Sequence, residues 1–151
     1  MRRASFAAAE CPVARGVAAV GDGWSLLIVR DALFGKRRFG EFQASLGVAK
    51  NILAVRLQEL IAVGVLELVP AAGGGAYREY ALTDKGRGLL PVIVALAQWA
   101  GGLQGRLEAK RTGHRVRLEL RSEGGRRVSP DDVRLIPAPD SSPARSCEVK
   151  G

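Results

Sequence analysis

Cysteine and histidine are almost missing from this chain, with two of the first and one of the second in 151 residues. Cys11 and Cys147 stand nearly a full chain length apart. That spacing excludes the dense disulfide framework of small secreted domains and fits a reduced, cytoplasmic compartment. With His114 as the sole imidazole, a Ser/His/Asp triad or a histidine-rich metal site has no partners, and Cys11 has no nearby base in sequence to make it a hydrolytic nucleophile. Catalysis is therefore not expected, and neither is a metal or other cofactor. Long apolar runs are lacking too. The longest, Leu89 to Ala97, reaches Leu103 only through Gln98 and a Gly-Gly pair, short of the roughly 20 residues of a membrane span. No cationic-then-apolar leader stands at the N-terminus, so no export signal is expected.

Acidic residues are in deficit, 15 against 23 lysines and arginines, for a net charge of +8. Such an excess favours a polyanionic partner, nucleic acid or an acidic membrane surface. At 47% hydrophobic content a chain of this length buries one ordinary core with little left for a second. One domain with an appendage follows.

The apolar spacing divides the chain into short elements. Val13, Val17 and Val20 predict a first helix that breaks at Gly21-Asp22-Gly23. Pro12 suits its first position, which puts Cys11 at or beside the N-cap. Trp24, Leu27, Ile28 and Leu33 predict a second helix with Arg30 and Asp31 on its outward side. Phe39, Phe42 and Leu46 give a third of about two turns, closing on Gly47. A fourth carries Leu53, Leu57 and Leu60 on one stripe, with Asn51, Val55, Gln58 and Glu59 opposite. "VLELVP" and "YREYALT" predict a hairpin with a glycine-rich tip. Thr83 caps a final helix expected from Asp84 through Leu107, wide enough in its apolar arc to need a second copy of the molecule as cover, with Pro91 either kinking it or marking its start. Beyond Gly113 a strand pair turns at "EGG", and the Pro/Ser/Ala-rich end has little to bury.

Three helices and a glycine-tipped hairpin form the order of a winged helix-turn-helix, an α+β module whose last helix before the hairpin enters the major groove, although helices and a hairpin also fit an unrelated small α+β domain. Several spaced motifs sharpen this: Cys11-Pro12; Gly21 to Trp24 opening the second helix; Arg37-Arg38-Phe39-Gly40-Glu41-Phe42; Leu53-x-x-Arg-Leu-x-x-Leu60; and Tyr80-x-Leu-Thr-x-x-Gly86. Together, over about residues 10 to 105, they resemble the HxlR family of bacterial winged-helix transcription regulators. The resemblance implies a homodimeric, non-enzymatic DNA-binding regulator, with repression the expected sense, acting at a pseudo-palindromic double-stranded operator. It also implies a thiol sensor at Cys11, since members of the family detect oxidants and electrophiles with the cysteine of this motif. Cys147 is one candidate resolving partner; a disulfide across the dimer or with a small thiol are others. Arg15, one turn on, adds a positive influence beside the helix N-terminus. The alternative for Cys11 is a small side chain packed under the dimer helix.

Two features depart from the family pattern. Val48-Ala49-Lys50-Asn51 replaces the usual Ser/Thr-x-Lys at the recognition-helix entrance, removing a hydroxyl cap, and the C-terminal extension lacks the paired cysteines that some relatives carry in zinc-ribbon fashion. The expected DNA contacts are Lys50, Asn51, Ala54 and Gln58 on the recognition helix, with Lys36, Arg37, Arg38 and Arg78 placed for phosphates. Arg56, at the edge of the leucine stripe, is expected to pair with an acid. Leu96, Trp99 and Leu103 are the expected centre of the dimer interface. Residues 1–110 form the winged domain with its dimerisation helix, and 111–151 a β-hairpin appendage and flexible tail. The competing class is a protein-interaction or membrane-surface module built on the apolar last helix, disfavoured because Leu89 to Gln104 carries no lysine or arginine.

Overall fold

A computed structural model describes residues 9, 11–102 and 107–136. The elements are α1 (Pro12–Val20), α2 (Gly23–Leu33), α3 (Phe39–Leu46), α4 (Lys50–Ala62), β1 (Leu66–Pro70), β2 (Arg78–Leu82), α5 (Asp84–Arg87) and α6 (Leu90–Trp99). This is a winged helix-turn-helix: α3, a short turn and α4, followed by an antiparallel β1–β2 wing in the register Leu66 to Leu82 through Pro70 to Arg78. Among the described residues no single helix is long and apolar enough to cross a membrane.

Local chemistry sets the helix boundaries. Cys11 is the N-cap of α1 and makes no capping hydrogen bond with its side chain, while Pro12 opens the helix where a missing N–H costs nothing. The Asp22 carboxylate accepts from the Ser25 N–H at 2.9 Å and starts α2. α3 stops at Gly47, which is left-handed (φ 63°). Its N-terminus is held by Glu41, which accepts from the Arg37 and Arg38 N–H groups at 2.7 and 2.9 Å.

The core is built where these faces meet. Ile28 and Val29 of α2, Phe42 of α3, and Leu53, Leu57 and Leu60 of α4 are fully excluded from solvent, with Val65 and Leu66 at the root of the wing. Each such side chain contributes on the order of 1.5–3 kcal/mol by leaving water. The ring of Phe42 meets Tyr80 of β2 edge-on, with centroids 6.1 Å apart.

Asp31 departs from expectation. It is buried rather than outward, its side chain 2% exposed, with Arg30 Nη2 at 2.7 Å and Lys36 Nζ at 3.8 Å. α2 packs against α1, α3, α4 and β2, so the side opposite its apolar stripe is also interior. A carboxylate there must be paired to be tolerated.

The expected long final helix is two helices. Thr83 does cap, its Oγ1 accepting from the Gly86 N–H at 3.0 Å and donating to the Gly64 carbonyl at 2.6 Å. α5 ends at Arg87, and α6 begins at Leu90 with Pro91 in its first turn. Glycines at 86 and 88 disfavour helix, and a proline cannot donate to a preceding turn, so Pro91 marks a new start. α6 ends at Trp99, ahead of Gly101-Gly102. Leu107 is not helical; its carbonyl accepts from the Val116 N–H at 2.8 Å.

The described residues form two compact units, one ending at Leu90 and one beginning at Pro91. In the second, the expected strand pair is reduced to isolated antiparallel bridges, Glu108 with Arg115 and Arg121 with Arg127. The Ser122 N–H bonds to Arg126 and the Val128 N–H to Leu120 across the "EGG" turn. Val116, Leu118 and Leu120 are all exposed, so burial does not reinforce a longer ladder. Leu103 and Cys147 lie outside the described residues.

Candidate nucleic-acid interface

The helix-turn-helix positions α4 by burying one side of it. Leu53, Leu57 and Leu60 face the core and Val48 fills the turn, which forces Lys50, Asn51, Val55 and Gln58 outward, with Ala54 half-buried beside them. The side chains of Lys50, Asn51 and Gln58 make no hydrogen bond or ion pair among the described residues. Their donors and acceptors are available to an external partner. Ala49 is the N-cap of α4 and supplies no side-chain oxygen, as the Val48-Ala49-Lys50-Asn51 sequence implies.

Arg56 turns away from that face, its Nε 3.5 Å from Asp22 Oδ1 and its Nη1 2.5 Å from Glu59. It ties α4 to the cap of α2. Glu59 is half-buried in this pair rather than fully outward.

The cationic run before α3 is held by a residue that sequence reasoning missed. Glu79 of β2, only 7% exposed, receives Arg37 Nε at 3.0 Å and Arg38 Nε at 3.4 Å. The Tyr80 N–H also donates to the Arg37 carbonyl at 2.8 Å, so the segment before α3 lines the free edge of β2. The hairpin carries two acids, Glu67 and Glu79, and nothing in the sequence marks the second as the one that meets Arg37 and Arg38. Arg37 and Arg38 remain about half and two-thirds exposed, so their outer N–H groups still reach solvent. Lys36 is drawn toward Asp31, and Arg78 Nη2 donates to the Leu68 carbonyl at 2.9 Å across the wing. The same wing residues, with Phe39 and Tyr77, surround a 540 Å³ hollow.

Two groups here are shifted. The backbone N–H groups of Arg37 and Arg38, with the nearby charges of Arg38 and Lys36, hold the Glu41 carboxyl below its ordinary range. Burial pushes the Tyr80 hydroxyl up.

Cys11 is half-buried at the head of α1. The Arg15 guanidinium reaches back to the Ala9 carbonyl at 2.8 Å, and the Arg15 N–H bonds to the Cys11 carbonyl at 3.1 Å. Leu96 is 44% and Trp99 87% exposed on α6. On α1, Val13 and Val17 are exposed as well. Among the described residues no three His, Cys, Asp or Glu side chains group as a metal would require.

A family model described as HxlR-like helix-turn-helix matches residues 19–108. The chain is 44% identical over 87 residues to the uncharacterized HTH-type transcriptional regulator Rv3095 of Mycobacterium tuberculosis, covering 58% of this chain and 55% of that protein. It thus spans about half the length of that relative. The crystal structure of PA1607, a candidate transcription factor, superposes with a TM-score of 0.77 at 48% identity, covering 87% of this chain and 98% of that one. The reduced form of the redox regulator HypR superposes with a TM-score of 0.53 at 26% identity, over 59% of this chain and 89% of its own.

Proposed function

Because the chain belongs to the HxlR-like helix-turn-helix family, we propose that it is a DNA-binding transcriptional regulator of the cytoplasm, a homodimeric repressor reading a pseudo-palindromic operator. The observation that carries this reading is the outward face of α4, where the side chains of Lys50, Asn51 and Gln58 stand without partners among the described residues, with the basic run Lys36-Arg37-Arg38 ahead of α3. Asn and Gln suit the paired donor and acceptor of adenine, and Lys suits guanine or phosphate. Ala54 leaves room for a thymine methyl. Lys36, Arg37, Arg38 and Arg78 supply phosphate contacts that fix register without reading sequence. Two-fold symmetry then requires half-sites about one helical turn apart.

α6 holds the two copies together, with Leu96, Trp99 and Leu103 at the centre of the interface. An apolar surface of this kind on a chain with a single small core is covered by a like surface. Residues 1–110 act as the DNA-binding and dimerising part, with 111–151 appended.

Regulation runs through Cys11. The N-terminus of α1 favours the thiolate, and HypR, a structural relative, is described as a redox regulator. Peroxide transfers one oxygen to the thiolate, giving a sulfenic acid as the O–O bond breaks and water leaves after proton uptake. A second thiol then condenses with the sulfenic acid, releasing another water and forming a disulfide. Cys147, a partner's Cys11 or a small thiol can provide it; a quinone would instead alkylate the sulfur.

Selection of bound fragments from random and genomic DNA tests the first claim. An enriched inverted repeat is expected, and no enriched motif would end the reading. Mild peroxide or a quinone should change operator affinity of the wild type and not of Cys11→Ser. Indifference of the wild type to both reagents would exclude sensing, as would equal loss in the serine variant.

A further inference from the structure

We propose that the unit beginning at Pro91 is a receptor for a small organic anion with an apolar body, bound in the cleft between α6 and segment 115–119. The cleft has a volume of 840 Å³, within the few hundred to about a thousand that ligand pockets occupy. Val94, Leu107, Val116 and Leu118 supply apolar wall, and Arg115 and Arg117 stand in the lining.

The lining is tied together. The Gln98 side chain accepts from the Leu118 N–H at 2.8 Å and donates to the Leu118 carbonyl at 3.1 Å, fastening the segment to α6. The Val116 N–H to Leu107 bond joins a second wall. The charge is unevenly spent. Glu119, the acid in the lining, is engaged by Arg121 at 3.1 Å and by Arg127 at 3.8 Å. Arg115 and Arg117 have no side-chain hydrogen bond or ion pair among the described residues. Two unneutralised guanidinium groups beside aliphatic wall select a carboxylate or sulfonate through paired N–H donors, and reward burial of its hydrocarbon part. A phosphodiester backbone would use the arginines but leave the apolar wall uncovered.

α6 places Val94 and Gln98 in the cleft and Leu96 and Trp99 on its exposed surface. Occupancy therefore bears on the helix assigned to dimerisation. That regulatory consequence rests on the DNA-binding reading; the binding itself does not.

Calorimetry on the full chain with 1-naphthoate, and with the neutral 1-naphthalenemethanol as control, tests the site without DNA. Naphthoate is expected to bind about tenfold or more tightly than the alcohol. In Arg115→Gln/Arg117→Gln that preference should vanish while the alcohol binds as before, and Arg115→Lys/Arg117→Lys should keep part of it should the neutral variant fold poorly. Absence of naphthoate binding, equal binding of acid and alcohol, or an unchanged preference in the glutamine variant would overturn the proposal. So would a glutamine variant that loses only operator affinity, which would assign the arginines to DNA. Naphthoate binding that leaves operator affinity unchanged would retain the receptor and remove its link to regulation.

Discussion

A Cβ placed on Gly86 would lie 2.2 Å from the carbonyl oxygen of Val65 and 2.8 Å from Leu82 Cδ2. The first turn of α5 thus rests directly on the root of the wing, where the Thr83 N–H also donates to Val65 at 3.2 Å. The glycine of the Tyr80-x-Leu-Thr-x-x-Gly86 motif is required by close approach of two backbones. Gly86→Ala should cost about 1–3 kcal/mol, the range for forcing extra volume into a packed site. Urea titration measures it, and an unchanged midpoint would contradict the packing.

Glu79 neutralises two arginines from the inside. Glu79→Gln should cost about 1 kcal/mol or less in stability, because both arginines retain water. Their charge is then free for phosphate. Non-specific DNA affinity should rise, and log K against log salt should steepen by about 1 to 2. A slope identical to wild type would mean that Arg37 and Arg38 do not face the DNA.

Asn51→Ala and Gln58→Ala should relax discrimination at individual operator positions, each by roughly 1–3 kcal/mol. Arg37→Ala and Arg78→Ala should instead weaken all DNA alike and flatten the salt dependence. Competition assays with operator and scrambled duplex separate the two effects.

Trp99 is 87% exposed in the single chain, so Trp99→Ala should hardly change the chain's intrinsic stability. If it lies at the centre of the dimer, the truncation removes about 3–5 kcal/mol of association. Light scattering at low micromolar concentration should then show monomer. A fully dimeric variant would move the interface elsewhere.

Glu41 gives the acid side of the stability profile a defined contributor. Its carboxyl is depressed in the folded chain by the N–H groups of Arg37 and Arg38. The unfolded chain therefore binds the proton first. The stabilisation is complete above the unfolded value of about 4.3 and is lost as pH falls through the lower folded value. Glu41→Gln should flatten the loss of stability between about pH 5 and 3. A wild-type slope in the variant would discount the helix-capping bonds.

What was legible in the sequence was what neighbours along the chain decide. The leucine stripe of α4 follows from helical period, and Thr83 as a cap follows from residues within one turn. Asp31 was misplaced because its helix, α2, packs against four other elements, and amphipathic period assumes one buried side. Glu79 was missed because it acts on Arg38, 41 positions away. The helix break was written in Gly88 and Pro91, but the apolar spacing across them argued for continuity. No physical signal in the chain distinguishes a base contact from a phosphate contact on α4; that difference belongs to the groove.

The pair of hydrogen bonds exchanged between Gln98 and Leu118 gives segment 115–119 a partner without a strand. An amide side chain offers the same donor and acceptor as a peptide group. It satisfies the Leu118 N–H and carbonyl together, so a single glutamine on a helix closes a backbone pair that would otherwise be open to a foreign chain.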